Sequence, residues 1–212
     1  DLISALAAEP PRVDAKAVRR RFLLVTLTGV PAAFVAMFLL LGPRPDLVAA
    51  LALPMFWVKL AFPVAIGISA WWMLLRLGSP GGRPGATLAG VGLPVAAMWL
   101  LALAVLVAVP AGERMPLVMG ATWRNCPGNI AMLALPVGVL AFAALRGLAP
   151  TRLVPAGAAA GLFAGAVGAT AYSIHCPELE APFLAVWYLL GMLVPAAIGA
   201  LLGPRLLGWW GA

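Results

Sequence analysis

The sequence predicts an all-α integral membrane protein, a bundle of six transmembrane helices with both termini in the cytoplasm. Of its 212 residues, 64% are hydrophobic and only 10% are charged, whereas soluble domains carry about a quarter charged residues. Apolar runs of about 20 residues recur along the chain, the length that crosses a bilayer core about 30 Å thick. Basic residues concentrate in alternate connecting segments, which fixes the orientation.

The first 21 residues form the only sizeable polar segment. Leu2, Ile3 and Leu6 fall on one face of a short predicted helix that Pro10 and Pro11 end. The triplet Arg19–Arg21 closes the segment and is typical of a cytoplasmic anchor. The predicted divisions are a cytoplasmic segment, a six-helix membrane domain and a cytoplasmic tail, over 1–21, 22–207 and 208–212.

The six predicted spans alternate with short polar or glycine- and proline-rich connections. They are Phe22–Leu41, Ala50–Leu75, Ala86–Val109, Asn129–Leu145, Leu153–Ser173 and Pro182–Leu202. Prolines 63, 136 and 195 lie inside the even-numbered spans, where neighbouring helices can satisfy the freed carbonyl groups. The residues around these prolines are apolar, which argues against a transport path through broken helices.

The distribution of basic residues predicts which loops face outward. With the N-terminus inside, ten basic residues fall in cytoplasmic segments and three fall outside, namely Arg44, Arg114 and Arg124. This asymmetry follows the positive-inside rule. It places the loop before the fourth span and the loop before the sixth span on the outer side, each with one cysteine.

These two outer loops carry the residues best suited to chemistry. Cys126 and Cys176 are the only cysteines, each is followed by proline, and His175 and Glu178 lie beside Cys176. Three interpretations remain open: a structural disulfide, since exported thiols tend to oxidise; a reversible thiol sensor; and a metal site. Cys126, His175, Cys176 and Glu178 together would suit zinc or cadmium.

Lys59 is the only charge plainly inside a predicted span. A lysine at the bilayer centre costs about 3 kcal/mol on insertion scales. Trp57 marks the outer interface nearby, so we expect the Lys59 ammonium to snorkel outward or to pair with Asp46, Glu178 or Glu180. An aromatic belt is predicted at the same interface, formed by Trp57, Trp123, Tyr172, Trp187 and Tyr188.

Several segments together resemble one bacterial family, the negative regulators of sigma F. The segments that carry the resemblance are the short head Asp1–Ala7, Phe56-Trp57-Val58-Lys59, Trp123-Arg124-Asn125-Cys126, Tyr172–Glu178 and Val186-Trp187-Tyr188. The resemblance covers essentially the whole chain. It implies a six-span, multi-pass protein of the bacterial inner membrane.

The resemblance also implies a function, that of an anti-sigma factor without enzymatic activity and without direct contact to nucleic acid. The cytoplasmic head would hold an extracytoplasmic-function sigma factor, and an oxidative or heavy-metal signal at Cys126 and Cys176 would release it. An amphipathic head helix in a groove of the partner is the expected binding mode. Its expected contact residues are Leu2, Ile3, Leu6, Val13, Arg19 and Arg20.

A sensor of this kind needs an element with two states that the thiol change biases. The fourth and sixth spans follow the cysteine loops directly and contain prolines, so they are the predicted candidates for that element.

Two other classes of function compete with this interpretation. A small ion or metal transporter or channel would need polar residues along a path, and only Lys59 is available. A quinone-linked thiol oxidoreductase would need adjacent thiols, and the chain has no Cys-x-x-Cys motif.

Overall fold

The computed structural model describes residues 15–148 and 150–208, and these residues form helices joined by short connections. Six helices are long and apolar enough to cross a membrane. The helices, in chain order, are α1 (Ala15–Leu40), α2 (Leu47–Ala50), α3 (Pro54–Leu77), α4 (Thr87–Ala108), α5 (Ala111–Met119), α6 (Cys126–Arg146), α7 (Leu153–Tyr172) and α8 (Ala181–Leu207).

All six predicted spans are confirmed as helices, and their ends differ in informative ways. Helix α1 runs without a break through the predicted boundary between residues 21 and 22, so Arg19–Arg21 belong to the first spanning helix. Helix α6 begins at Cys126 rather than at Asn129. Helix α8 contains a π-helical turn over Leu184–Tyr188, a feature that hydrophobicity does not report and that is frequent at functional sites.

Helix α7 occupies the centre of the bundle because its residues are small. It packs against α3, α6 and α8, and most of its length is buried. A methyl group at Gly157 would overlap the backbone of Gly199, and one at Gly161 would overlap the backbone of Pro195. This seam, the backbone contact of α7 with α8, is the close approach that small residues permit between membrane helices.

Helix α4 lies at the periphery and contributes little to the core. Of its residues only Met98 and Ala102 are buried, and large side chains such as Trp99 and Leu100 are exposed. Its contacts run mainly to α3 and to the first turn of α8.

The connecting segments gather at two ends of the bundle. Segments 41–53, 109–125 and 173–180 meet at one end, which we call the cap. The turn 78–86 and residues 150–152 meet the last residues of α8 at the other end, the base: the Gly81 amide donates to Thr151 Oγ1 (3.0 Å), and Arg146 Nε donates to the Leu206 carbonyl (2.8 Å). Arg44, Arg114 and Arg124 lie in or beside the cap segments, and the other described arginines lie towards the base.

Candidate sensor site in the cap

The two Cys-Pro pairs place Cys176 just after the C-terminal end of α7 and Cys126 at the N-terminal end of α6. The amides of His175 and Cys176 donate to the Tyr172 carbonyl (3.0 and 2.9 Å), which extends α7 by a last turn. Pro177 disfavours a helical conformation at Cys176 and turns the chain away. Cys126 instead is the first residue of α6, and Pro127 follows it in the first turn. An N–H at that position would have no partner within the helix, so the proline costs no hydrogen bond.

Both cysteines are free thiols and both are fully buried. Thr122 contacts each of them: its carbonyl accepts from the Cys126 amide (3.0 Å), and its hydroxyl lies 3.8 Å from Cys176 Sγ. The sequence prediction that the two cysteines lie in neighbouring loops agrees with this arrangement. Neither cysteine is exposed to solvent, so a reagent reaches either sulfur only when the surrounding residues of the cap move apart.

Lys59 is fully buried beneath the Cys176 loop. Its Nζ donates to the carbonyl oxygens of Cys176 (2.6 Å) and Glu178 (2.8 Å) and lies 5.5 Å from the centre of the Tyr188 ring. A buried cation needs such partners, since an unpaired one is very costly, and an aromatic face adds to the attraction.

The expectation for Lys59 therefore needs correction in its detail. The ammonium does not snorkel to an exposed position, and within the described residues it forms no ion pair with Asp46, Glu178 or Glu180. It does link the second span to the cysteine loop, but through main-chain carbonyls rather than carboxylates.

The Glu178 side chain joins the two cysteine loops. Its Oε1 accepts from the amides of Ala121 (2.7 Å) and Thr122 (3.1 Å) and from the Thr122 hydroxyl (3.3 Å). Gly120 permits this arrangement with a φ of 57° and a ψ of −170°, a conformation that is essentially restricted to glycine and costs other residues about 1–3 kcal/mol. A methyl group there would also lie 2.9 Å from Oε1.

The first connection closes the cap from the side of α1. His175 Nδ1 lies 2.8 Å from the Gly42 carbonyl oxygen, and the Arg44 amide donates to the Ile174 carbonyl (3.1 Å). The Arg44 guanidinium donates twice to the Asp46 carboxylate, both at 2.6 Å. This pairing raises the pKa of Arg44 and lowers the pKa of Asp46, each chiefly through the hydrogen bonds between them.

The four proposed metal ligands do not converge in this arrangement. His175 is engaged with Gly42, and the Glu178 carboxylate is engaged with Ala121 and Thr122. Across residues 15–148 and 150–208, no three histidine, cysteine or acidic side chains are grouped to hold a metal ion. The geometry thus gives no support to a four-ligand zinc or cadmium site in this closed state of the cap.

Sequence reasoning missed the contacts of several cap residues, although it places Trp123 and Trp187 at the outer interface. Tyr172 and Tyr188 are buried under the loop, with ring centres 6.0 Å apart, so their predicted place in an aromatic belt is wrong. Trp187 donates from Nε1 to the Val118 carbonyl (2.8 Å) and stacks near Trp123. Thr122 and Gly120 carried no signal except their closeness to Cys126 in the chain.

The residues predicted to bind the partner lie away from the cap. Arg19 and Arg20 are exposed near the start of α1, at the base. Leu2, Ile3, Leu6 and Val13 lie outside the residues that the structure describes, as do the final four residues of the predicted tail.

Six apolar helices around a glycine- and alanine-rich centre, with a polar cap over buried thiols, define a class of helical protein whose helices are long and apolar enough to cross a membrane and which carries thiols at one end. The model of the family named negative regulator of sigma F matches residues 6–209. A probable anti-sigma-F factor, NrsF, of Azospira oryzae is 46% identical over 209 residues, covering 99% of this chain and 98% of that protein. The anti-sigma-F factor NrsF of Caulobacter vibrioides is 41% identical over 211 residues, with the same coverage.

The chain therefore belongs to the negative-regulator-of-sigma-F family, as the residues of both cysteine loops indicated. No solved structure shows significant similarity to it.

Proposed function

We propose that this protein is an inner-membrane anti-sigma factor whose N-terminal segment holds an extracytoplasmic-function sigma factor and releases it on an envelope signal at Cys126 and Cys176. The observation that carries this proposal is that the thiols and the arginine-rich start of α1 lie at opposite ends of the bundle. The buried thiols lie in the cap, and the arginine-rich start of α1 lies at the opposite end. The printed names of both relatives support the sigma-factor partner.

The charges at the two ends support an orientation with the base in the cytoplasm. Described basic residues at the base include Arg21, Arg76, Arg146, Arg152 and Arg205, against three arginines beside the cap. Positive charge accumulates on the cytoplasmic side of membrane proteins. A reporter enzyme that is active only after export should work when fused after Arg114 and fail when fused after Arg83.

The burial of both thiols supports a switch rather than an exposed reactive site. A closed cap keeps Cys126 and Cys176 from reagents, and transient opening makes them available. Oxidation to a disulfide or capture of a thiophilic metal then stabilises the open arrangement, because the reacted thiols no longer fit their buried sites. A ligand shifts such an equilibrium only through its preference for one state.

Co-purification from membranes tests the proposal directly. The full chain is purified with its sigma factor before and after exposure of cells to a thiol oxidant or to cadmium, and free thiols are counted by alkylation. We expect loss of the sigma factor together with loss of two free thiols. The double variant Cys126→Ala, Cys176→Ala should retain the sigma factor under both treatments.

A control variant distinguishes release of the sigma factor that depends on the thiols from release caused by general membrane damage. Met115→Ala changes an exposed cap residue of α5 and should release the sigma factor as the unaltered chain does. If the double cysteine variant releases the sigma factor as readily as the unaltered chain, the sensing role is contradicted. If no sigma factor co-purifies with the chain from untreated cells, the anti-sigma role is contradicted.

A further inference from the structure

Lys59 binds the cysteine loop at two points rather than one. Its two acceptors, the carbonyls of Cys176 and Glu178, flank Pro177 and converge on a single fully buried ammonium. Hydrogen bonds to a charged donor are stronger than those between neutral groups. The position of this one side chain therefore fixes the path of the main chain beside the Cys176 thiol.

The same loop residue extends the connection to the second thiol. While the Glu178 carbonyl accepts from Lys59, its carboxylate accepts from the amides of Ala121 and Thr122. Helix α3, the Cys176 loop and the Cys126 loop are thus joined through Glu178. Among these contacts, the hydrogen bonds of Lys59 are the ones that come from a spanning helix, and replacing the Lys59 ammonium removes them.

The other end of α3 reaches the start of α1. Gly78 caps α3 at the base, and a methyl group on it would lie 3.3 Å from the Phe22 ring and 3.3 Å from the Leu148 side chain. Phe22 is fully buried and directly follows Arg19–Arg21. Helix α3 therefore contacts the cap through Lys59. Through Gly78 it lies beside Phe22, the residue that directly follows segment 1–21 and that we call the root of the N-terminal segment.

Between these contacts, α3 has a weak point and space to move. Pro63 lacks the N–H that would bond the carbonyl of Lys59, four residues earlier, and proline is a usual cause of bending in a helix. Beside it lies an apolar cavity of about 180 Å³ between α1, α3 and α7, with Val30, Phe34 and Pro63 among its lining residues. This space adjoins the turn of α3 that Pro63 interrupts.

We infer that Lys59 is the positioning residue that holds the cysteine loop closed and ties its state, through α3, to the root of the N-terminal segment. This inference rests on the proposed function for its outcome at the sigma factor, but the hold of Lys59 on the loop stands independently. It assigns the moving element to the second span, not to the fourth and sixth spans favoured by the sequence.

The first test measures how often the cap opens. Full-length protein in native membranes, in a Cys126→Ala background, is alkylated with a maleimide, and the rate at Cys176 is followed. Lys59→Met keeps the length of the side chain and removes the ammonium. We expect alkylation about tenfold faster or more, since two charge-assisted hydrogen bonds are lost. Lys59→Arg should restore a slow rate, because it returns a cation with several donors.

Val58→Met is the matched control, because Val58 is the exposed neighbour of Lys59 on the same helix. It should alkylate at the unaltered rate. If Lys59→Met and Val58→Met alkylate equally slowly, the hold of Lys59 on the loop is refuted. If Lys59→Met does not accumulate, Lys59→Gln, which replaces the ammonium with a shorter neutral amide, is measured in the same way, and alkylation at the Val58→Met rate refutes the hold.

The second test addresses the connection to the base. Lys59→Met should lose its sigma factor on co-purification without any signal. Gly78→Val brings methyl groups against Phe22 and Leu148 at the base and should also reduce sigma-factor retention. Because coupling between two sites is reciprocal, it should also change the rate of Cys176 alkylation. Fast alkylation in Lys59→Met with full retention of the sigma factor would overturn the coupling through α3. Failure of the cysteine variants to alter release would instead overturn the sensing function and leave the alkylation result intact.

Discussion

The seam between α7 and α8 and the cap above it are held together by different forces. At the seam, glycines bring two helix backbones into direct contact, and a methyl group at Gly157 would overlap Gly199. In the cap, side chains such as Lys59 and Glu178 bond to main-chain groups of other segments. Close packing tolerates little change and has one arrangement, whereas a few hydrogen bonds can be exchanged for others. The seam is thus suited to hold the fold, and the cap is suited to switch.

The largest expected effect comes from overfilling the seam. Gly157→Leu forces two backbones apart and should destabilise the protein by about 3 kcal/mol or more, the upper part of the range for overpacked cores. Thermal unfolding of detergent-purified protein measures it.

Gly92→Leu is the control for the seam, because Gly92 lies in α4 with open space around its α-carbon. It should unfold at the unaltered temperature. Equal stability of the two leucine variants would show that the seam does not hold the fold.

A smaller effect is expected where the cap depends on one glycine. Gly120→Ala places a methyl group 2.6 Å from the Phe183 ring and 2.9 Å from the Glu178 carboxylate, in a backbone conformation essentially restricted to glycine, which should cost about 1–3 kcal/mol and speed alkylation of Cys176 about tenfold. The rate of maleimide modification in membranes measures the opening, since accessibility of a buried group follows the population of the open state.

Gly81→Ala supplies the matched control for the backbone strain alone. Gly81 has a φ of 74° but has nothing near its α-carbon, and it lies in a turn of the base. Its alanine variant should lose comparable stability with no change at Cys176. Faster alkylation in both variants would mean that strain anywhere opens the cap.

Neutralising Glu178 should have a moderate effect confined to the cap. Glu178→Gln keeps one oxygen acceptor for the amides of Ala121 and Thr122 but loses the charge, and charged acceptors form roughly twice as strong a bond. We expect alkylation of Cys176 about fivefold faster, with an unfolding temperature close to that of the unaltered chain. Glu180→Gln, at an exposed neighbour, should change neither quantity.

The smallest effect is expected at the Arg44–Asp46 pair. The Asp46 pKa is lowered by Arg44, so the pair contributes stability above the ordinary aspartate pKa of about 3.9 and loses it as the pH falls through the lower folded value. Between pH 5 and 8 this contribution is fully present, and the unfolding temperature should not vary with pH because of it. Asp46→Asn should therefore lower the unfolding temperature slightly over that range and make no difference well below the folded pKa of Asp46; an effect that persists there would indicate a further role.

The sequence by itself determined the six helices and the bias of basic charge between the ends. These properties are written in continuous stretches of the chain, where length, composition and sign of charge each act locally. It also singled out Cys126, Cys176 and Lys59, because a thiol or a charge stands out in an apolar background.

Only the tertiary structure decided what those residues touch. Lys59 and Cys176 are 117 positions apart, and no local pattern states that a lysine will bond two carbonyls rather than a carboxylate. The burial of Tyr172 and Tyr188, the engagement of His175 with Gly42 and the role of Gly120 likewise depend on how three loops meet. The physical reason is that hydrophobic periodicity reports the environment of a helix face, whereas hydrogen-bond partners across loops are fixed by the packing of helices distant in the chain.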